Sequence, residues 1–285
     1  MASTTRDSVL TFVDNLVPTV KKTLCDDLPE VRVAAAKTFD SLHSTVGARA
    51  LDDILPDLLL QLDDPELHDN TLDGLRQVIA IKSRAVLPYL IPKLISSPVN
   101  LRALASLAPV AGEALHRHLP RILPALMTAM SGVEGRLSES QELGYAVTVI
   151  LSVNDDEDDT GVSIIMEECI SACKSDKLPT KTTAVLLLHA FCSQTKTDIL
   201  QYVPQLIRSL MHLFTESDEV ILQEAWNTLN AVTKGLDNAE LMSLVPDVRQ
   251  ALRFALMDNE GKDRLAGFCL PKASLQSYPF SVSPF

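Results

Sequence analysis

The sequence predicts an all-α fold, an α-solenoid of about seven helix pairs followed by an irregular C-terminal tail. Three observations indicate it. A triplet of two apolar residues and a proline recurs at intervals of 32 to 42 residues, or at twice that distance. An apolar spacing of 4, 4, 3 and 4 residues occurs near both ends of the chain. The composition, with 5% aromatic residues and ten glycines in 285, suits packed helices better than a β-sheet.

The proline triplets mark the repeat. A period of 30 to 45 residues is typical of stacked helical units. Proline in a helix interior removes a hydrogen bond and costs about 3 kcal/mol. We therefore expect each proline early in its helix, where the N–H is unpaired anyway, or at a bend. The prolines of the triplets are Pro18, Pro56, Pro88, Pro92, Pro124, Pro204 and Pro246.

The first unit shows the pattern most clearly. Apolar residues at helical spacing predict a first helix, and the acidic turn CDDLPEVR, residues 25–32, opens a second helix at Pro29. The second helix has one apolar stripe, formed by Val31, Ala35, Phe39, Leu42 and Val46. A stripe of this kind packs against a neighbouring element.

Later parts of the chain repeat these features. The turn DDPELH, residues 63–68, resembles the first turn, and DKLP at 176–179 repeats DDLP at 26–29 after 150 residues. The same stripe spacing returns at Ile221, Ala225, Leu229, Val232 and Leu236. We predict a repeat domain over residues 1–272, with units at about 8–46, 50–80, 84–112, 114–152, 160–194, 198–236 and 238–268, and an irregular tail at 273–285. The fourth and seventh units are the least regular.

These units are typical of the HEAT class of helix–turn–helix repeats. In that class an Asp and an Arg six residues apart across the turn tie one unit to the next, and Asp26 and Arg32 match this spacing. Arg102 is placed to act like Arg32 in the third unit, whereas His68 departs from the pattern in the second, so we do not expect a continuous ladder. One helix pair cannot bury its stripe alone. We therefore expect function on a surface rather than in a pocket.

An acidic stretch invites a calcium hypothesis. The residues Asp156, Asp158, Thr160, Gly161 and Glu167 fall at positions 1, 3, 5, 6 and 12 of an EF-hand loop. The alternative is a solvated loop between helix pairs that ends in a helix N-cap. We favour the loop, because SIIMEE, residues 163–168, resembles the start of the next helix.

A zinc site of three cysteines and a histidine is a second metal hypothesis. Cys169 and Cys173 lie on one predicted helix, and His189 and Cys192 lie on the next. If the chain turns back near Pro179, Cys173 and Cys192 are about 15 Å out of register. We therefore predict buried small side chains and a core histidine.

No motif predicts catalysis or a bound cofactor. The chain has no phosphate-binding loop, nucleophile elbow or paired metal-binding histidines. His116 and His118 lie on different helix faces and cannot share a metal. We predict no catalytic, cofactor-binding or metal-binding residue, although an enzyme stays open as a minor alternative.

The charge and composition restrict partners and location. The net charge of −12 disfavours broad binding of nucleic acid, and we expect no sequence-specific nucleic-acid binding. The pairs Lys21–Lys22, Lys82–Arg84 and Arg117–Arg121 are interpreted as solvated faces. No run of eighteen apolar residues and no secretory leader occurs, and five cysteines suit a reducing compartment. We predict a cytoplasmic protein with no membrane span.

Several blocks resemble a known family. ALDDILPDLLLQLDD, AIKSRAVLPYLIPKL, VILSVNDDEDDTG and GFCLPK are similar to the C-terminal third of the general-control translational activators, giant HEAT-repeat proteins of the cytosol. The resemblance covers about residues 8–272. It implies a non-enzymatic scaffold that acts with the ribosome and with the stress kinase that phosphorylates initiation factor two alpha, during amino-acid starvation and ribosome stalling.

The resemblance also implies a fragment, since the family's proteins are several times longer and residues 273–285 leave the pattern. The alternative function is a free-standing HEAT-repeat adaptor of the transport-receptor or phosphatase-scaffold kind.

Overall fold

A computed structural model describes residues 6–62, 64–133, 137–153, 160–214 and 216–257. These residues form α-helices, short 3₁₀ helices and connecting turns, and they include no β-strand. The prediction of an all-α repeat fold is confirmed. Among the same residues, no helix is long and apolar enough to cross a lipid bilayer.

The α-helices follow one another with short connections. They are α1 Arg6–Leu24, α2 Pro29–Val46, α3 Arg49–Gln61, α4 His68–Leu94, α5 Leu101–Ala111, α6 Leu119–Met130, α7 Gln141–Leu151, α8 Thr160–Ala172, α9 Leu178–Gln194, α10 Val203–Leu213, α11 Glu219–Lys234 and α12 Asn238–Met257. The 3₁₀ helices are Gly112–His118, Leu137–Glu139 and Leu200–Tyr202.

The chain divides into two compact units, Met1–Glu168 with Thr195–Thr197, and Cys169–Gln194 with Asp198–Phe285. In the first unit α2 packs on α1 and α4, and α5 packs on α4 and α7. In the second unit α9 packs on α11, and α10 packs on α11 and α12. Each helix thus contacts helices close to it in sequence, as stacked repeats do.

The apolar stripes supply the core. Ala35, Phe39 and Leu42 of α2 are buried, with Phe39 only 1% exposed. In α11, Ile221, Ala225 and Val232 are buried. Leu229 is half-buried instead, and the neighbouring Thr228 is fully buried. A helix rotates by about 100° per residue, so one step along the chain moves a side chain to the edge of the stripe.

The expected position early in a helix is met at Pro204, in the first turn of its helix, and the alternative position at a bend stays a prediction for the other prolines of the triplets. Pro18, Pro56, Pro124 and Pro246 lie inside α1, α3, α6 and α12, and their side chains are exposed. The helices begin further upstream than the triplets suggested. A proline on the solvent side is tolerated because helices already curve with their convex side toward water.

Helix α4 consists of two helical segments that meet at Lys82. The range spans 27 residues and contains Pro88 and Pro92, and the backbone leaves helical geometry at Lys82, with φ −135° and ψ 40°. The Lys82 Nζ lies 3.0 Å from the Asp40 Oδ1 of α2. The break lies between the predicted units 50–80 and 84–112.

Gly74 lets α4 approach α1 closely. A Cβ atom at Gly74 would lie 2.1 Å from the backbone oxygen of Leu24. Gly74 is buried, and Leu24 is fully buried. No residue with a side chain fits this position unless the two helices move apart.

Candidate functional site

Charge is distributed unevenly along the chain. Residues 74–133, the basic segment, contain seven Lys or Arg residues and one acidic residue, a formal charge of +6 in a chain of −12. The remaining residues therefore carry −18. The basic residues of the segment are Arg76, Lys82, Arg84, Lys93, Arg102, Arg117 and Arg121, and its acidic residue is Glu113.

Some of these cations are engaged by acids of neighbouring helices. Arg102 Nη2 donates to Asp69 Oδ1 at 2.8 Å, and Lys82 lies against Asp40. Arg84 Nη2 is 3.8 Å from Glu113 Oε2, and the two side chains are 75% and 69% exposed. An ion pair this exposed contributes little to stability, so the Arg84 guanidinium stays available to another anion.

Arg117 and Arg121 are available to bind an anion. Both are exposed, and neither makes an ion pair with any residue that the structure describes. Arg117 lies in the 3₁₀ helix Gly112–His118, against which α4 packs, and Arg121 lies in the first turn of α6. With Arg84, these two residues form what we call the arginine cluster.

His118 reports the electrostatic potential within the cluster. Its pKa is lowered from 6.5, first by burial of the imidazole and then by the charges of Arg117 and Arg121. Both guanidinium groups therefore lie close enough to His118 to disfavour its charged form. The imidazole is consequently neutral at pH 7.

The basic pairs named in the sequence analysis lie in different charge environments. Lys21 is neutralised, since its Nζ donates to Asp57 Oδ2 at 2.5 Å. Lys82 and Arg84, by contrast, belong to the same acid-poor segment as Arg117 and Arg121. A count of charges over windows of about sixty residues would have found this segment, whereas inspection of adjacent pairs did not.

The predicted contact between Asp26 and Arg32 across the first turn forms through other atoms than expected. Arg32 Nη1 donates to the backbone oxygen of Asp26 at 2.6 Å, not to its carboxylate. Arg32 Nε donates to Asp73 Oδ2 of α4 at 2.7 Å. Asn70 Nδ2 donates to Asp27 Oδ1 at 2.8 Å. The cross-helix acid is therefore Asp73, because the Asp26 carboxylate accepts a bond from the Leu28 N–H within its own turn.

The other two predicted ladder positions also have partners. Arg102 reaches Asp69 at the start of α4, an exposed pair on the preceding helix. His68 Nδ1 lies 2.7 Å from the backbone oxygen of Leu62. These contacts tie adjacent helices locally, and they serve the fold rather than a ligand.

The described residues of the calcium hypothesis lie on one helix. Thr160, Gly161 and Glu167 all belong to α8, whereas Asp156 and Asp158 lie outside the described residues. Thr160 and Glu167 are about 10 Å apart along the helix axis, too far to share one ion. Glu167 Oε1 accepts a hydrogen bond from Ser163 Oγ at 3.1 Å.

Gly161 has a packing role that the calcium hypothesis did not anticipate. A Cβ at this position would lie 2.2 Å from Val153 Cγ1 and 3.0 Å from His116 Nε2. Gly161 therefore lets α8 approach the 3₁₀ helix that carries Arg117.

The zinc hypothesis meets unfavourable chemistry. Burial raises the pKa of the Cys173 and Cys192 thiols to about 12, so both are protonated at neutral pH, and a metal binds the thiolate. His189 Nδ1 lies 2.8 Å from Glu224 Oε2 of α11. Within the described ranges, no group of three or more His, Cys, Asp or Glu side chains is placed to hold a metal.

A cavity of about 990 Å³ adjoins the loop between α4 and α5. Its lining includes Ser97, Ser140, Glu139 and Glu142, but no His, Lys or Cys among the described residues. A serine needs a neighbouring base to act as a nucleophile. The Ser140 Oγ donates to the Leu137 oxygen and accepts from the Leu143 N–H, so it is engaged by its own turn rather than by Glu139 or Glu142. The arginine cluster is therefore the better candidate site.

Comparison with known proteins gives consistent results. The family described as "Stalled ribosome sensor GCN1-like, HEAT repeats" matches residues 86–272. The chain is 49% identical over 278 residues to the stalled ribosome sensor GCN1 of Homo sapiens, which is 97% of this chain and 10% of that protein.

Two eIF-2-alpha kinase activators named GCN1 are also similar. The protein of Dictyostelium discoideum is 34% identical over 289 residues, 99% of this chain and 11% of that protein. The protein of Saccharomyces cerevisiae is 32% identical over 274 residues, 95% of this chain and 10% of that protein. The chain spans about a tenth of the length of these curated relatives.

Proposed function

Because the chain belongs to the family of stalled ribosome sensor GCN1-like HEAT-repeat proteins, we propose that it is a non-enzymatic scaffold in a ribosome-associated activator of the initiation factor two alpha kinase. The family match over residues 86–272 carries this proposal. The proposed ribosome association follows the name of one relative, a stalled ribosome sensor. The proposed kinase activation follows the names of others, the eIF-2-alpha kinase activators. The process is translational control during amino-acid starvation and ribosome stalling, in the cytoplasm.

The architecture suits such a role. Stacked helix pairs present rows of side chains on an extended surface, and the described cavity lacks a nucleophile–base pair. Binding through surfaces, without a cofactor or catalytic residue, is what this arrangement supports. We also propose the seven units named above as the repeats of residues 1–272, with the irregular tail after them.

Two assays test the proposal in cells that lack the family protein. The chain is expressed alone, its co-sedimentation with collided ribosomes is measured, and phosphorylation of initiation factor two alpha is followed during starvation. We expect the chain in the ribosomal fractions, with binding that weakens as salt rises. We expect no restored phosphorylation, because the chain spans only about a tenth of its relatives.

Two results would contradict the proposal. Absence from the ribosomal fractions at low salt would favour the adaptor of the transport-receptor or phosphatase-scaffold kind. Full kinase activation by the chain alone would show that it is a complete activator rather than a scaffold within one.

A further inference from the structure

The arginine cluster is a part of the described surface where positive charge is little compensated. Arg117 and Arg121 have no acidic ion-pair partner among the described residues, and Arg84 has only the exposed Glu113. We propose that the arginine cluster binds the phosphate backbone of RNA, an inference that rests on the proposed function at the ribosome.

The spacing of the cluster suits a polyanion. Arg117 and Arg121 are four residues apart across the junction of the 3₁₀ helix and α6, which is about 6 to 8 Å along the axis. Phosphates of one strand in a duplex follow each other at a rise of about 3.4 Å. Two cations carried at neighbouring turns of the backbone suit a ligand with successive negative charges.

Arg84 extends the contact to a second helix. Its guanidinium lies 3.8 Å from the Glu113 carboxylate, which is four residues before Arg117 on the 3₁₀ helix. A phosphate can displace this weakly held carboxylate at little cost. The planar guanidinium can then donate two parallel hydrogen bonds to phosphate oxygens.

The charge distribution explains how an acidic chain can bind RNA. The basic segment carries +6, while the remainder carries −18. At physiological ionic strength interactions between exposed charges are screened beyond about 8 Å. The acidic remainder therefore repels RNA only where it comes close, and a narrow phosphate ridge can contact the cluster alone.

An acidic protein is the competing ligand, because a carboxylate also fits the arginine fork. The proposed role at the ribosome favours RNA, since ribosomal RNA presents dense phosphate. The probes are therefore a fluorescently labelled RNA duplex of about twenty base pairs and a poly-glutamate peptide of matched charge. Binding of each to the full 285-residue chain is measured by fluorescence anisotropy over a range of salt concentrations.

The double variant Arg117→Glu with Arg121→Glu tests the cluster. We expect RNA affinity to fall at least tenfold at low salt, and the slope of log affinity against log salt to shrink by about two, one for each lost phosphate contact. Arg117→Gln with Arg121→Gln should give a smaller loss in the same direction. If the charge-reversal variant fails to fold, this neutral pair provides the test.

The matched control reverses two exposed lysines outside the basic segment. Lys37 in α2 and Lys234 at the end of α11 are exposed, and Lys37→Glu with Lys234→Glu changes the net charge by the same amount. An equal loss of RNA affinity in this control would show that net charge alone acts, and would overturn the proposal. Poly-glutamate binding as tight as RNA, with the same dependence on the arginines, would replace RNA by an acidic protein.

Ribosome co-sedimentation separates this inference from the function on which it rests. A chain that sediments with ribosomes but shows no arginine-dependent binding of isolated RNA contradicts the arginine cluster only. A chain that binds RNA through the cluster but never sediments with ribosomes contradicts the proposed function and leaves the RNA contact in place.

Discussion

At the scale of single residues, Gly74 marks the closest approach between two helices. Gly74→Ala would place a Cβ 2.1 Å from the Leu24 backbone oxygen, so α1 and α4 must separate. We expect a loss of about 1–3 kcal/mol in the free energy of unfolding, measured by urea denaturation. Gly144→Ala is the control, because nothing lies within 4 Å of its Cβ, and it should stabilise α7 by about 0.5–1 kcal/mol. Equal effects of the two variants would contradict the close approach.

His118 should make stability depend on pH. Its pKa is lowered in the folded protein from an ordinary value of 6.5, mainly by burial, so below pH 6.5 the unfolded chain binds more protons than the folded chain. Stability is therefore complete above pH 6.5 and is lost as the pH falls below it. We expect the melting temperature of His118→Gln to fall less than that of the wild type between pH 7.5 and 5.5.

A second variant checks the cause of the His118 shift. Arg117→Gln removes one of the two charges that lower the His118 pKa, so it should also reduce the loss below pH 6.5, although less than His118→Gln does. Identical pH profiles for the wild type and both variants would show that His118 titrates alike in the folded and unfolded states.

The sequence predicts some of these residues and not others. Phe39 and Ala35 were predicted to be buried because helical periodicity alone places them on one face. Asp73 was not predicted as the partner of Arg32, because that contact depends on how α2 and α4 are set against each other. Arg117 and Arg121 stand out because residues 74–133 contain only one acidic residue. A short motif does not show such a charge distribution.

At the scale of helices, the Arg32 network ties α2 to α4. Arg32 is 8% exposed and bonds both to Asp73 and to the Asp26 carbonyl. We expect Arg32→Met to cost about 1–3 kcal/mol, because it leaves the half-buried Asp73 carboxylate and Asp26 carbonyl without this donor. A double-mutant cycle with Asp73→Ala should give a coupling energy of about 0.5–2 kcal/mol, toward the lower end because the Asp73 side chain is 28% exposed.

The exposed pair between Arg49 and Asp14 provides the comparison for this cycle. Its side chains are 58% and 87% exposed, so its coupling energy should lie near zero. Chemical denaturation of the four variants of each cycle measures both energies. Equal coupling in the two pairs would show that Arg32 does not hold α2 against α4.

Helix boundaries were predicted less well than helix faces. The periodic stripes indicated which side of α2 and α11 is buried. Prolines were expected early in a helix or at a bend, and four of them lie inside α1, α3, α6 and α12. Periodicity identifies a face and contains little information about length. In α4 the break at Lys82 lies close to residue 80, the predicted end of the second unit.

At the scale of the whole chain, a destabilising core substitution should affect mainly the helices that pack around it. Phe39 and Phe191 are both fully buried, one in each compact unit, and replacing either by Ala should cost about 3–5 kcal/mol. Because repeats couple mainly to their neighbours, Phe39→Ala should raise hydrogen exchange chiefly in α1, α2 and α4. Phe191→Ala should raise it chiefly in α9 and α11.

Phe12→Ala serves as the control, since its side chain is 57% exposed and its loss should change exchange little. Uniform acceleration across all helices in both core variants would indicate one cooperative unit instead of a repeat array.

The family was predictable because long blocks of sequence are themselves specific, and the match over residues 86–272 confirms it. Chemistry at the surface was not predictable in the same way. The net charge of −12 disfavours broad binding of nucleic acid, but a whole-chain sum does not show that residues 74–133 carry +6.

The break at Lys82 has a consequence for how such a chain can lengthen or shorten during evolution. Breakpoints at Lys82, where two helical segments of α4 meet, or in the loop between Leu94 and Leu101 would transfer whole helical segments. Breakpoints inside either segment would instead divide a helix. Recombination that preserves the fold should therefore exchange segments that begin and end at such breaks.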